Sequence, residues 1–445
     1  MAVVKFAHAA DLHLDSPLRG LDRYEGAPVE RMRAATRRAF TNLVDACIAE
    51  PVDFLLVVGD LFDGNWKDYG TGLFFASQMS RLREAKIPVV FLRGNHDAAS
   101  HVTKQLRLPD NVRELSWQKP ETFELAHLGV AIHGQGFGTR AMTDDLAARY
   151  PQAIPGLFNI GLLHTCAEGR EGHDRYAPTT VPILASKGYD YWALGHVHER
   201  EVLSRDPWIV FPGNIQGRHA RETGAKGATI VTVLAGRVTD VEHRAFDVAR
   251  WSVCNVDASG AASAADVIDL VREALRAAAL AADGRPLAAR VLVSGTTPAH
   301  LDLVGDQDRY TNEVRAAGND LEGDGVWVEK VTFHTRAPLD AESLRERDDA
   351  IGQLARSLAD LRADEAAMRL LFDELADLKK KLPIELRDAE GSALPEDAAG
   401  MRDVLDDVEG LLLPRLLSAP KAPAARLVSV ATTSNVGRSN GDLES

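Results

Sequence analysis

The chain has 445 residues, 45% of them apolar, enough to fill more than one core, and at about 100–200 residues per domain it should hold two or three domains. No run reaches the ~20 uninterrupted apolar residues of a membrane span, and Cys47, Cys166 and Cys254 are too few and too scattered for a disulfide framework, so a membrane protein and a disulfide-stapled scaffold are excluded and a reducing cytoplasm is expected. The formal net charge of −14 is unevenly divided: residues 1–250 carry −1 and residues 251–445 carry −13, so only the first part suits a polyanionic partner, more so with cations bound.

In chain order, three apolar runs, VVKFAHAA, FLLVVG and VVFLR, each lead into a cluster of metal-binding side chains. These are DLH (Asp11, His13), GDLFD (Asp60, Asp63) and GNHD (Asn95, His96). Two more follow, His164 in LLHT and the pair His196 and His198 in GHVH, the latter after WALG. Open α/β sheets build their sites just past the carboxyl ends of strands. Because the first such cluster begins at residue 11, no cleavable signal peptide is expected ahead of it.

The spacing has a physical reading. Asp11 and His13, two residues apart at a strand end, leave the same face, so one ion takes both. His196 and His198 share that relation, but a turn at this point fans the two imidazoles toward two ions. Asp60, with two oxygens, is the natural bridge; Asn95 adds a neutral oxygen and His164 a further nitrogen. A mixed oxygen and nitrogen set without thiolate suits manganese, iron or zinc. Two ions about 3.5–4 Å apart clamp the attacking and leaving oxygens of a phosphoryl transfer, so phosphoester hydrolysis is the chemistry implied.

Between these clusters, VERMRAATRRAFTNLVDACI (29–48) has helical periodicity, and Arg31, Arg33, Arg37 and Arg38 crowd it as either a solvated face or a face that tracks DNA. GQGFG (134–138) imitates a phosphate-binding loop but lacks the lysine of one and reads as a strand-to-loop turn. GNIQGRHARETGAKG places Arg218 and His219 near GHVH, where a role on substrate phosphate is expected. Alternating strands and helices over residues 1–250 predict a two-sheet sandwich with covering helices. Residues 251–337 read as a second unit, with strands WSVCNVD, ARVLVSG and VWVEKVTFHT around the helix DVIDLVREALRAAALAA. Residues 338–417 read as helical: Leu354, Leu358, Leu361, Met368, Phe372, Leu375 and Leu382 follow a 3,4 rhythm interrupted by Glu365 and Lys379 and stopped by Pro383. MRDVLDDVEGLLLP (401–414) is the other arm of a hairpin, and residues 418–445, rich in Ala, Ser, Pro and Gly, read as a disordered tail.

The order D-x-H, G-D-x-x-D, G-N-H-D, H, G-H-x-H resembles the calcineurin-like metallophosphoesterases, and most of all their DNA-repair nuclease subunits of the SbcD and YhaO type. HAADLHLDSPLRGL (8–21), LLHTCAEGREGHDRYAP (162–178), KGYDYWALGHVHERE (187–201) and FPGNIQGRHARETGAKG (211–227) carry the likeness to the YhaO branch. The resemblance covers about the first 250 residues well and the remainder loosely. It implies a four-layer α/β/β/α sandwich, a small α/β capping domain at 251–337 and a helical partner-docking region at 338–417. It further implies that Asp11, His13, Asp60 and His198 hold one ion and Asp60, Asn95, His164 and His196 the other. His96 then protonates the leaving oxygen and Asp63 orients it, which is sound use of a carboxylate to fix an imidazole tautomer. Two divalent ions, manganese foremost, are the implied cofactors. DNA and an SMC-like ABC ATPase are the implied partners, with a homodimer left open and no membrane.

Departures sharpen the reading. Protein phosphatases of this superfamily resemble GDxxDRG followed by GNHE, whereas here Gly64 follows Asp63 and Asp97 follows His96, which argues against a phosphoprotein substrate. Archaeal and eukaryotic relatives of the nuclease subunit often carry histidine at the place of Asp63. The expected function is a DNA exonuclease or endonuclease of DNA repair. The alternatives are a small-substrate or cyclic-nucleotide phosphodiesterase of the same fold, which would use the same ligands, and a non-catalytic adaptor, which a complete ligand set disfavours.

Overall fold

The computed structural model describes residues 3–16, 34–63, 69–98, 107–167, 176–321, 326–338, 340–381, 395 and 398–418. The chain divides into two compact units, Met1–Thr335 and Arg336–Ser445.

The described residues of the first unit form two six-stranded sheets and one three-stranded sheet. One six-stranded sheet is built from β1 (Val3–Ala9), β2 (Phe54–Val58), β3 (Val89–Leu92), β4 (Val112–Glu114), β11 (Gly227–Leu234) and β12 (Arg237–Ala245), in the order β12-β11-β1-β2-β3-β4. The other comprises β5 (Glu121–Leu125), β6 (Val130–Gly134), β7 (Phe158–His164), β8 (Tyr191–Gly195), β9 (Glu201–Arg205) and β10 (Trp208–Phe211), in the order β5-β6-β7-β8-β10-β9. Strands β1, β2, β3 and β4 run parallel, as do β6, β7 and β8. Every residue of β2, β3, β7 and β8 is buried, as parallel strands covered on both faces require.

Alternation assigns the two faces of each sheet to different cores. Phe6, Phe54, Leu56, Val58, Val90 and Leu92 meet Ile132, Ile160, Leu162, Tyr191, Ala193 and Val210 between the sheets. On the outer side of the first sheet, Leu55, Val57, Val89 and Phe91 bury Phe40, Leu43 and Val44 of α1 (Ala35–Ala49) and Phe75, Met79 and Leu82 of α2 (Tyr69–Glu84). The outer side of the second sheet, with Leu163, Trp192, Leu194 and Phe211, is covered more thinly, by loops and the five-residue helix α4 (Val181–Ala185), whose Leu184 is fully buried. A further short helix, α3 (Asn95–Ala98), directly follows β3. Four layers α/β/β/α result, the fold class of the calcineurin-like metallophosphoesterases.

The expected first helix over 29–48 is observed over Ala35–Ala49, and Arg31 and Arg33 lie outside the described residues. Arg37 pairs with Asp15 and Arg38 is exposed.

The third sheet has the order β13-β14-β15, from β13 (Arg250–Asp257), β14 (Leu287–Thr296) and β15 (Val326–Arg336). Helix α5 (Ala264–Ala281) begins in a capping box between Ser263 and Asp266 and buries Val267, Val271 and Leu275 against Val256, Val291 and Val293. Two helices without strong apolar signal, α6 (His300–Gly305) and α7 (Gln307–Asn319), complete this core through Leu303, Tyr310 and Val314.

The second unit is helical: α8 (Ala341–Arg345), α9 (Ala350–Ala363), α10 (Glu365–Lys381) and α11 (Ala398–Ser418). Of the two breaks in the 3,4 rhythm, the one at Glu365 is a helix boundary and the one at Lys379 lies inside α10. Asp364 leaves the helical region, and its Oδ1 accepts the amides of Ala366 and Ala367 as the cap of α10. Met401 and Leu405 of α11 pack with Leu358 and Met368. Helix α11 continues past the apolar stretch 401–414, through Pro414 to Ser418, close to the end of the region read as helical. Burial of Leu413 against Leu344 and Ala355 holds the segment in place despite a proline penalty of about 3 kcal/mol. Pro383 and residues 419–445 lie outside the described residues. Among the described residues no helix is long and apolar enough to cross a membrane.

Candidate metal centre

Strands β1, β2, β3, β7 and β8 deliver their motifs to one edge. Past β1 the chain keeps pairing with the loop past β2: the amides of Asp11, His13 and Leu14 donate to the carbonyls of Gly59, Asp60 and Leu61 at 3.1, 3.0 and 2.9 Å. This zipper sets DLH beside GDLF. Asp11, His13, Asp60 and His196 have φ of 51°, 41°, 50° and 99°, each in the left-handed region that costs a non-glycine residue about 1–3 kcal/mol and clusters at functional sites. The glycines before the donors are there for space. A Cβ on Gly94 would strike the Asp60 carboxylate, and one on Gly195 would strike the Val58 carbonyl. Asp97 ties the motifs together by accepting the amides of Leu61, Phe62 and Gly94 at 3.2, 3.1 and 3.0 Å. Its burial, with the charge of Asp60 added, pushes its carboxyl up to about 7.

The donors converge in groups whose ligating atoms lie within 4.8 Å of one another: Asp11, His13 and His198; Asp60, His164 and His196; and His13, Asp63 and His96. His164 Nδ1 lies 3.0 Å from the Val58 carbonyl, so Nδ1 donates to it and Nε2 is the nitrogen left for a proton or a metal ion. That Nε2 is 3.0 Å from Asn95 Oδ1 and 3.4 Å from Asp60 Oδ2. Asp60 Oδ2 is also 3.9 Å from His13 Nε2, while its Oδ1 accepts the His96 amide at 2.9 Å.

These residues fit divalent cations. His13 Nδ1 is held by Asp63 at 2.7 Å and His198 Nδ1 by Glu222 at 2.6 Å. With both Nδ1 protons so committed, the two Nε2 lone pairs face each other at 3.2 Å, an arrangement that a cation resolves. Asp11 Oδ1 is buried beside them with no hydrogen bond, 3.8 Å from His198 Nε2. Burial alone would lower the pKa of His164, but the charge of Asp60, its hydrogen bond and Asp11 raise it to about 9. The field that attracts that proton is one that attracts a metal ion. Burial raises the pKa of Asp60 and Asp63, but neighbouring histidines, and Arg218 beside Asp63, outweigh it and hold both below the usual carboxylate range.

His96, 31% exposed in its side chain, places Nδ1 3.2 Å from Asp63 Oδ1. The expected orienting contact exists, yet the same oxygen lies closer to His13, so Asp63 serves a donor imidazole as well. Arg218, only 13% exposed, reaches Asp63 Oδ2 at 3.5 Å and Glu222 Oε1 at 3.0 Å. His219 is 55% exposed, 3.5 Å from Glu222 Oε1. Glu222 lies within GNIQGRHARETGAKG, where the sequence reading gave roles to Arg218 and His219 and none to this acid. Its one signal there is that of a lone acid inside the otherwise basic stretch GRHARETGAKG just after GHVH.

The calcineurin-like phosphoesterase family matches residues 4–200, and the middle domain of metallophosphoesterase YhaO matches residues 251–336. The uncharacterized metallophosphoesterase YhaO of Bacillus subtilis is 38% identical over 297 residues, 66% of this chain and 72% of that protein. The DNA double-strand break repair protein Mre11 of Sulfurisphaera tokodaii is 26% identical over 274 residues, 58% of this chain and 66% of that one. The SbcCD nuclease subunit of Rhodobacter capsulatus is 34% identical over 116 residues, 25% of each chain. With its sandwich, its converging donors and a YhaO relative matched over most of its length, the chain belongs to the calcineurin-like metallophosphoesterases of the SbcD and YhaO type.

Proposed function

We propose that this chain is a two-metal phosphodiesterase that cleaves DNA. One observation carries the chemistry: the buried Asp60 turns a single carboxylate oxygen toward both donor groups, 3.4 Å from His164 Nε2 and 3.9 Å from His13 Nε2. In this reading Asp11, His13, Asp60 and His198 hold one ion and Asp60, Asn95, His164 and His196 the other, with manganese the favoured metal for such donors. When bound, two divalent ions neutralise phosphoryl charge and lower the pKa of water. The chain's own side chains position and protonate. Asp63 accepts a hydrogen bond from His96 Nδ1–H and stabilises the imidazolium, whose Nε2–H gives its proton to the departing sugar oxygen and leaves the ring neutral, and the partial exposure of His96 lets a substrate reach it. Of the pair read as phosphate contacts, His219 has the exposure the role needs, while Arg218 is engaged by Glu222 and Asp63.

DNA is favoured over a small ester by the repair and nuclease relatives and by the near-neutral charge of residues 1–250. A role in DNA repair beside an SMC-like ABC ATPase follows the same relatives. The helical unit offers that partner the exposed Leu370, Leu412 and Leu416, and self-association into a homodimer is compatible with it. Three free, buried cysteines suit the cytoplasm.

The test incubates the full chain with manganese and end-labelled linear double-stranded DNA, beside His96→Ala and beside bis-p-nitrophenyl phosphate. Manganese-dependent DNA degradation that disappears in the variant is expected. Cleavage of the small ester alone moves the reading to a different diesterase, and inactivity on both removes the enzymatic reading.

A further inference from the structure

We infer that Glu222 and Arg218 are positioning residues that selectively set the affinity of the ion position formed by Asp11, His13 and His198. The inference rests on the two-metal reading and extends it to residues outside the donor set.

The geometry is a linked pair of carboxylates. Glu222, 5% exposed, has both oxygens occupied. Its Oε1 faces His198 Nδ1 at 2.6 Å and Arg218 Nη2 at 3.0 Å, and its Oε2 accepts Asn214 Nδ2 at 2.9 Å and the Arg218 amide at 2.7 Å. With Arg218 Nε also 3.4 Å from Oε2, five donors on two oxygens leave this carboxylate one orientation. Asp63 repeats the pattern across the site: Oδ1 faces His13 Nδ1 at 2.7 Å, and Oδ2 takes the Ser16 hydroxyl and, at 3.5 Å, Arg218 Nη1. One guanidinium therefore spans the two acids that fix the far nitrogens of His13 and His198. Each acid selects the Nδ1–H tautomer of its imidazole and raises the basicity of Nε2, as outer-shell carboxylates do for metal-binding histidines.

His164, in the other donor group, is fixed differently. Its Nδ1 uses the Val58 carbonyl, which no side-chain substitution removes. The dependence on Glu222 is thus confined to one of the two ion positions. Arg218, mostly buried and held by both acids, balances their charge and holds their spacing; it is not set out toward solvent as a free phosphate ligand.

The test is a manganese titration of the chelator-stripped full chain by isothermal calorimetry, comparing wild type with Glu222→Ala, Glu222→Gln, Glu222→Met and Arg218→Ala. The wild type should take two ions. Glu222→Ala should keep one at the wild-type affinity and weaken the other by about 10–100-fold, the usual effect of removing an outer-shell partner. Glu222→Gln, which retains an acceptor for His198 Nδ1–H, should recover part of the loss, whereas Glu222→Met, which fills the same space without that acceptor, should not. Arg218→Ala should weaken the same ion by less. Two ions at unchanged affinity in Glu222→Ala overturn the inference for Glu222. Unchanged metal binding with reduced DNA affinity in Arg218→Ala overturns the linking role and makes Arg218 a phosphate contact. A wild type that takes a single ion defeats the two-metal reading instead, and Glu222 is then judged by whether that one ion weakens. Melting of the metal-free variants reports folding; if Glu222→Ala unfolds, a weakened single ion in Glu222→Gln still supports the inference and its absence still sinks it.

Discussion

His8 and His164 are the same side chain at the same depth, both 0% exposed, one inside the sandwich on β1 and one at the strand edge on β7. His8 has neutral partners, the Tyr191 hydroxyl and the Leu194 carbonyl, each at 3.0 Å, and burial drives its pKa down to about 3. At His164 burial acts in the same sense, but Asp60 and Asp11 overrule it and the pKa rises to about 9. What separates the two regions is therefore the carboxylates that the ends of β1 and β2 supply. The interior of the sandwich refuses a cation; its edge, a few residues further along the same strands, is prepared for one.

The comparison breaks most severely if Asp60 is neutralised. Asp60→Asn should empty both ion positions and reduce phosphoester turnover by a thousandfold or more, since metal catalysis is worth several kcal/mol and each ~1.4 kcal/mol is tenfold in rate. Metal content by mass spectrometry, with turnover of bis-p-nitrophenyl phosphate, checks it; two retained ions would show that the edge field does not depend on this charge. His96→Ala probes the edge without touching the donors. Turnover should fall about 10²–10⁴-fold, the span of general acid catalysis, with both ions still bound. Loss of metal in that variant would make His96 a ligand and not a proton donor.

Much of this edge is legible in the sequence, and the reason is local. DLH, GDLFD, GNHD and GHVH each place donors within four residues of a buried strand, and a strand end fixes where those side chains go. The apolar runs FLLVV and VVFL identify central parallel strands by burial on both faces. Glu222 is hidden because its partner, His198, is 24 positions away and the two meet only through tertiary folding. The acidic partners of Arg218 are hidden for the same reason: a basic residue near a metal motif suggests phosphate, and its contact with Asp63, 155 positions away, exists only in the fold. Helix α7 escapes because QDRYTNEVRAAGN is polar and its few apolar anchors, Tyr310 and Val314, are too sparse for periodicity. Asp364 shows the limit from the other side: the interrupted rhythm at 364–365 is visible, but only the cap geometry distinguishes a blemish in one helix from the start of another.

A smaller perturbation tests whether the edge is held by its main chain. In Gly195→Ala the new methyl meets the Val58 carbonyl, the acceptor that fixes His164, and lies 3.0 Å from His164 Nδ1. The strand must shift, so stability should fall by about 1–3 kcal/mol, the range of overpacked cores, and metal affinity should fall with it. Urea unfolding and a manganese titration check both. Lost stability with unchanged metal affinity would mean that the Val58 contact does not set the donor geometry of His164.

The interior half of the comparison is tested by acid. The folded state does not protonate His8 until pH approaches about 3, whereas the unfolded chain binds that proton below about 6.5. Between those values the unfolded state holds more protons, so stability contributed by a neutral His8 is complete above pH 6.5 and is lost as pH falls, by at most about 1.4 kcal/mol per pH unit. His8→Gln keeps a donor for the Leu194 carbonyl but cannot titrate. The difference in unfolding free energy between wild type and this variant should therefore narrow steadily from pH 6.5 downward in urea melts, because all other titrating groups are common to both. A difference that stays constant across that window would mean that His8 accepts a proton in the folded state, and that burial between the sheets is not what keeps it neutral.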